Sequence, residues 1–275
     1  ALEDGKPFAM ALSQSVEHPC IDLFSVPVRY SKKQLAPHVV GYLDSMGAGA
    51  AGVELAMDDA LAAHSGEISV YYQVDALGRA IAGAERLVVN TWEEPQGGVA
   101  LTLDAALQQR VQQAAQQLGE GAVVVTECPS CEIRALASMP DFSPADIGAA
   151  AQAEGSPLVN RAFCAYAPGS VFKLVTAAAA LESGQVQDDF SCTGSLNAGG
   201  LVFHCIDGTA HGELGLQGAI EKSCNCYFIS TARALGGQPV LSMAYNLGFG
   251  AKQEFGRGLR TQPGVLPEGA ALENV

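Results

Sequence analysis

The sequence predicts an α+β chain in two regions, β-rich over residues 1–98 and mixed over 99–275. Three observations predict it. Runs of β-branched and aromatic residues mark the first region. A stretch with linker composition, residues 92–98 (WEEPQGG), separates it from the second. The second region then joins a strand pair to apolar helices, with no series of βαβ units.

The 275 residues suffice for one large domain or two ordinary ones, and 48% apolar content supports a sizeable core. A net charge of −14 argues against a nucleic-acid partner. The acidic residues are dispersed and read as solvated surface. The longest apolar run, around residues 175–181, is too short to cross a membrane. No secretory leader is read at the start. The chain opens on Ala1-Leu2-Glu3 without methionine, which is the expectation for a processed or truncated product whose upstream anchor is out of view.

In the first region, residues 21–30 (IDLFSVPVRY) and 68–74 (ISVYYQV) read as strands. Residues 53–63 (VELAMDDALAA) read as a helix. The run 47–52 (GAGAAG) formally matches a dinucleotide fingerprint, with Asp75 at a tolerable distance. That reading is rejected, because the fingerprint needs a buried strand leading into it. The lead-in here, 38–46 (HVVGYLDSM), is short and broken by Gly41 and Asp44. The glycines read instead as a flexible turn before the helix.

In the second region, residues 99–104 (VALTLD) start a strand, and Asp104 caps a helix over 105–118. Residues 122–126 and 132–138 form a strand pair around Cys128-Pro129-Ser130-Cys131. That spacing admits a redox pair or half a zinc site. With no second Cys-x-x-Cys it reads as two thiols at a hairpin turn. Residues 139–157 read as a loop with three prolines. Residues 190–212 are irregular, and His204 and His211 there read as structural. Among the eight cysteines, Cys192 and Cys205 flank a Gly-rich loop and are the leading disulfide candidates.

The chemistry concentrates in Pro168-Gly169-Ser170-Val171-Phe172-Lys173 and the helix that follows to Gly184. Pro168 and Gly169 punctuate the entry, Ser170 stands at a helix N-terminus, and Gly184 marks the stop. The helix is apolar or small all round, which predicts a buried rod. Lys173, three residues after Ser170, shares its face. Burial favours the neutral amine, and a neutral amine beside a hydroxyl is a general base beside a nucleophile. Ser-x-x-Lys alone is weak, and an N-cap serine with a lysine reaching the surface also fits it. The Pro-Gly elbow, the apolar helix and a second motif raise the signal. That motif, Lys222-Ser223-Cys224-Asn225, interrupts a helical stretch over 214–235. It offers a hydroxyl to relay a proton and a carboxamide to hold a substrate amide.

With both motifs in place the chain resembles the class B penicillin-binding proteins, the peptidoglycan D,D-transpeptidases. The resemblance runs through Leu101-Thr102-Leu103-Asp104, Asn160-Arg161-Ala162, Ala167 to Lys173, His211-Gly212 and Lys222 to Asn225. The first region is similar to the family's pedestal or dimerisation domain, through Arg29-Tyr30 and Gly52-Val53-Glu54. The cysteines around the Gly-rich loop resemble a sporulation and clostridial branch. The resemblance implies an antiparallel sheet with a helical subdomain over 99–275. It implies Ser170 as the acylated nucleophile, Lys173 as its base, Ser223 as proton shuttle and Asn225 as the peptide-amide ligand. The Ser170 backbone N–H would supply half of an oxyanion hole. The implied substrates are D-Ala-D-Ala stem peptides, with β-lactams as mimics and no cofactor or metal. A membrane polymerase partner, a homodimer and an extracytoplasmic location at the bacterial membrane are also implied.

One departure matters. No lysine in the chain precedes Thr-Gly or Ser-Gly, so the family's third motif is absent. The expectation is a chain lacking about the last third of the transpeptidase domain, and itself inactive or badly impaired. Competing readings are a serine β-lactamase or β-lactam sensor, a non-catalytic envelope scaffold, and, more distantly, a redox or zinc protein.

Overall fold

A computed structural model describes residues 5–12, 14–18, 21–25, 28–31, 33–92 and 97–267. Cys20 and most of the 92–98 linker lie outside the described residues. The chain folds as two compact units, residues 1–162 with 256–259, and residues 163–255 with 260–275. Both combine helices with two-stranded antiparallel pairs, the α+β class read from the sequence.

The first unit begins its regular structure at α1 (Pro37–Val40), β1 (Tyr42–Leu43), β2 (Gly49–Ala51), α2 (Gly52–Ala56) and α3 (Asp58–Ala62). The glycine run is therefore not a flexible turn. It forms β2, paired with β1, and runs straight into α2. A Cβ at Gly49 would meet the Glu54 carbonyl at 2.0 Å, and one at Gly52 would meet the Gly41 Cα at 2.6 Å. These glycines serve close backbone approach rather than phosphate binding.

Next come β3 (Ile68–Tyr71) and β4 (Leu87–Asn90), paired antiparallel. The expected strand over 21–30 does not form among its described residues. Leu23, Phe24 and Val28 are exposed. Strand propensity is largely a preference for a packed, pleated surface, and these residues have no ladder to join.

α4 (Ala105–Ala115) packs on the antiparallel pair β5 (Gly121–Thr126) and β6 (Ile133–Met139). Ala115, Ala137 and Met139, with Val111 and Val123, form its core. The side chain of Gln108, 1% exposed, accepts from Leu136 N–H at 2.8 Å and donates to Leu136 O at 2.9 Å. It pins the helix to the strand. Residues 99–104 do not pair as a strand. They touch β6 through Asp104 N–H to Arg134 O at 2.9 Å and Thr102 Oγ1 to Ile133 O at 2.7 Å. Asp104 is the cap of α4, its carboxylate accepting from Leu107 N–H at 2.8 Å. Asp104→Ala is expected to lower the stability of this unit by about 1 kcal/mol, measured as a small drop in the urea midpoint at unchanged slope. The stretch 139–157 is not all loop. It holds α5 (Ile147–Gln152), capped by Asp146 on Ala149 N–H.

The second unit carries α6 (Lys173–Glu182), β7 (Phe190–Cys192), β8 (Ser195–Ala198), β9 (Leu201–His204), β10 (Gly212–Leu214), α7 (Leu216–Glu221), α8 (Asn225–Leu235) and α9 (Gly237–Asn246). β7 pairs with β10, and β8 with β9. α6 packs against α8 and α9. Val175, Thr176, Ala177, Ala179 and Ala180 of α6 are buried, whereas Leu174 and Leu181 are exposed. The helix is thus half-covered, not a fully buried rod. The core gathers Ala177, Leu214, Ala219, Tyr227 and Phe228 around Cys192, Cys205, Cys224 and Cys226.

Among the described residues no helix is long and apolar enough to cross a membrane.

Candidate active site

Ser170 does not start an α-helix directly. It lies in a 3-10 turn, Gly169–Phe172, that runs into α6 at Lys173. Gly169 at φ +57° makes the elbow after Pro168. The Lys173 N–H closes the turn on Ser170 O and Val171 O. Ser170 is exposed and Lys173 half-buried. At the far end, Gly184 at φ +65° stops the helix.

The break between α7 and α8 brings the second motif to this turn. Ser223 sits at φ +48°, a left-handed conformation uncommon for serine. Lys173 Nζ lies 2.9 Å from Ser170 Oγ, 2.9 Å from Ser223 O and 2.8 Å from Ser223 Oγ. Burial pulls the lysine below its ordinary value, with attraction to Cys205 and Cys224 acting the other way. As an ammonium, Nζ donates to all three oxygens; a neutral amine has two N–H bonds and a lone pair that can accept from one of the two hydroxyls. The arrangement puts one amine within hydrogen-bond reach of two hydroxyls.

Asn225 opens α8, and its carboxamide nitrogen donates to His204 O at 2.9 Å. The structure therefore joins Ser170, Lys173 and Ser223 through one nitrogen. Asn225 follows two residues on, anchored by a separate contact.

The expected Cys192–Cys205 disulfide is not formed. The two sulfurs are 3.7 Å apart and both are free thiols, whereas a bridge needs about 2.05 Å. Sequence reasoning missed what they join instead. Cys192, Cys205, Cys224 and His211 bring four ligand atoms within 4.8 Å of one another, and Cys226 Sγ adds a fifth, 3.5 Å from Cys205. His211, read as a lone structural histidine, faces Cys192 with Nδ1 at 3.6 Å. Burial raises the Cys192 thiol, but hydrogen bonds from the backbone of His211 and Gly194, then contacts with Cys224 and Cys205, outweigh it and hold the group at about 6. Burial pushes Cys224 and Cys226 up to about 12.

The first unit holds a cavity of about 530 Å³ lined by Asp104, Leu107, Arg110, Glu127 and Arg134 among others. It contains none of Ser170, Lys173, Ser223 and Asn225. The unit's buried polar network joins two motifs that the sequence presents separately. Glu54, 5% exposed, accepts from Arg29 Nε at 2.8 Å and from Tyr30 Oη at 3.0 Å.

Comparison with known proteins agrees with this geometry. Residues 121–267 match the penicillin binding protein transpeptidase domain. A penicillin-binding protein of Mycolicibacterium smegmatis, PbpB, is 32% identical over 89% of this chain and 37% of its own length. Stage V sporulation protein D of Bacillus subtilis is 29% identical over 78% of this chain and 34% of its own. Among solved structures, a D,D-transpeptidase domain from Eggerthella lenta aligns with a TM-score of 0.64 at 30% identity, over 85% of this chain and 50% of that one. An imipenem acyl-enzyme complex of penicillin-binding protein A from M. tuberculosis aligns at 0.65 with 25% identity, over 87% and 58%. The chain spans about a third of the length of these two curated relatives.

Proposed function

The chain belongs to the penicillin-binding protein transpeptidase family, and from that premise we propose that it performs serine acyl transfer on D-Ala-D-Ala stem peptides in peptidoglycan cross-linking. The observation that carries this reading is the Lys173 nitrogen, within 2.9 Å of both Ser170 Oγ and Ser223 Oγ. Lys173, neutral, takes the Ser170 proton as Oγ attacks the penultimate D-alanine carbonyl. The Ser170 backbone N–H donates to the oxyanion. The proton passes through Lys173 and Ser223 to the departing D-alanine amine. The amine of a neighbouring stem then attacks the acyl-enzyme carbonyl, the ester bond to Ser170 Oγ breaks, and the amine's proton returns through Lys173 to Ser170, while Asn225 Oδ1 accepts from a substrate N–H.

In this reading residues 1–98 are a pedestal or dimerisation domain and residues 99–275 belong to the transpeptidase domain. The family match over 121–267 supports the second assignment, and the Arg29–Tyr30–Glu54 network supports a distinct first region. β-Lactams mimic the donor. The protein works at the outer face of the bacterial membrane, with a membrane polymerase as partner and a homodimer formed through the first region.

The test joins this chain to the remaining transpeptidase segment of a relative, which supplies the third motif, and incubates it with a penicillin. The expected result is one intact penicillin mass on the Ser170 peptide, held for many minutes and lost in Ser170→Ala. Rapid turnover of the adduct would favour a β-lactamase, and an adduct on another residue would overturn the assignment. The 275 residues alone are expected to label slowly. Rapid stoichiometric labelling would show that the third motif is dispensable.

A further inference from the structure

We propose that Cys192, Cys205, Cys224 and His211 form a tetrahedral site for a structural zinc ion, which fastens the second motif in place. The four ligand atoms lie within 4.8 Å of one another. Three of the six pairwise separations match what the ion requires, and the others lie within 4.8 Å. A zinc–sulfur bond of about 2.3 Å and a zinc–nitrogen bond of about 2.0 Å put tetrahedral sulfurs about 3.8 Å apart, and sulfur and nitrogen about 3.5 Å apart. The observed separations are 3.7 Å for Cys192 to Cys205, 3.7 Å for Cys205 to Cys224, and 3.6 Å for Cys192 Sγ to His211 Nδ1. Sulfurs in plain contact also lie at such distances; what marks the site is that three buried thiols and an imidazole nitrogen converge on one point. The three cysteines are 0–3% exposed. Thiolate and imidazole donors in a closed tetrahedron select zinc over magnesium or calcium. On binding, the three thiols release their protons to solvent and the ion keeps its oxidation state.

The ligands come from three segments that no ladder joins completely: the end of β7, the stretch from β9 to β10, and the α7–α8 break. Cys224 lies between Ser223 and Asn225, and its sulfur caps α8 on Tyr227 N–H at 3.4 Å. Cys205 follows His204, whose carbonyl accepts from Asn225. An ion held by Cys205 and Cys224 therefore ties the carbonyl that holds Asn225 to the turn that carries Ser223. It keeps Ser223 in its left-handed conformation beside Lys173. The metal is structural, remote from bond-making, and its site is expected whether or not Ser170 is acylated.

The test uses the chain purified under reducing conditions, stripped with a chelator and reloaded with zinc or cobalt(II) alone. The expected result is one equivalent of metal per chain. The cobalt form should show a thiolate charge-transfer band and the intense visible bands of a tetrahedral centre. Loading should slow hydrogen exchange at the amides of residues 223–227. Cys192→Ser, Cys224→Ser and His211→Ala should each weaken zinc binding by more than about 100-fold, beyond what loss of an outer-shell contact costs. Cys226→Ser and the Cys128→Ser/Cys131→Ser pair should leave the spectrum unchanged. His211→Cys should restore binding with a four-thiolate spectrum, which separates a lost ligand from a lost fold. Uptake well below one equivalent by the folded, reduced chain would overturn the proposal. So would a Cys192–Cys205 disulfide in the purified protein, or a cobalt spectrum indifferent to Cys224 and His211. Loss of the site in Cys226→Ser with Cys224→Ser intact would overturn the assigned ligand set.

Discussion

Lys173→Gln is expected to slow acylation of Ser170 by about 10³-fold, equivalent to ~4 kcal/mol of barrier. The amide keeps a donor for the Ser223 carbonyl, so the turn that presents Ser223 retains one of its two contacts from residue 173. It loses the lone pair that receives the Ser170 proton. Lys173→Arg should be as slow, because guanidinium retains charge and donors but does not deprotonate near neutrality. A purely structural lysine would tolerate Arg better than Gln. The pH profile adds an independent readout. Burial lowers the amine below an ordinary lysine, and in the proposed mechanism the active form is the deprotonated one. The acylation rate should therefore rise with pH and level off below the range where an exposed lysine would titrate. In Lys173→Gln that rise should vanish. Rates of fluorescent penicillin labelling across pH, on the chain joined to a segment with the third motif, give both measurements. Labelling of Lys173→Gln at the unsubstituted rate would place the base elsewhere.

What could be read from the sequence was what is local. Ser170 and Lys173 are three residues apart, so one helical turn suffices to predict their contact, and the structure brings them to 2.9 Å. The Ser223 partner needed the break between two helices, signalled by Lys-Ser-Cys-Asn inside an otherwise helical stretch. The thiol–imidazole cluster was not legible. Its members stand at 192, 205, 211 and 224, with no Cys-x-x-Cys among them, and only folding converges them. A cysteine pair around a Gly-rich loop invites a disulfide reading, and nothing in the local sequence says that Cys224 and His211 fill the space between. The same limit explains the misread strand at 21–30, where propensity was present and a partner strand was not. α5 was hidden for a different reason. Prolines on both sides of residues 147–152 masked a short alanine-rich helix that Asp146 caps.

Arg29→Met is expected to destabilise the first unit by about 3 kcal/mol, the lower part of the range for breaking a buried ion pair. Glu54 is 5% exposed, so its carboxylate depends on Arg29 and Tyr30 in place of water. Arg29 is itself 38% exposed, which lets water reach part of the pair and keeps the cost from the top of the range. The hydrogen bond to Glu54 raises the arginine above its ordinary value, against the opposing effect of burial, so the charged pair is the favoured form. Burial and Glu54 together push Tyr30 up to about 12, so its hydroxyl stays a donor through the neutral range. Removing Arg29 leaves Tyr30 alone facing a buried charge. Removing both charges, Arg29→Met with Glu54→Leu, should recover much of the loss, because no uncompensated group remains. Trp92, the chain's single tryptophan, belongs to the first unit and reports its unfolding directly. The single variant should unfold about 10 °C lower by its fluorescence, and the double variant should lie closer to the parent. Equal losses in single and double variants would mean that the pair packs as bulk rather than as charge, and that Glu54 is held by contacts other than the arginine.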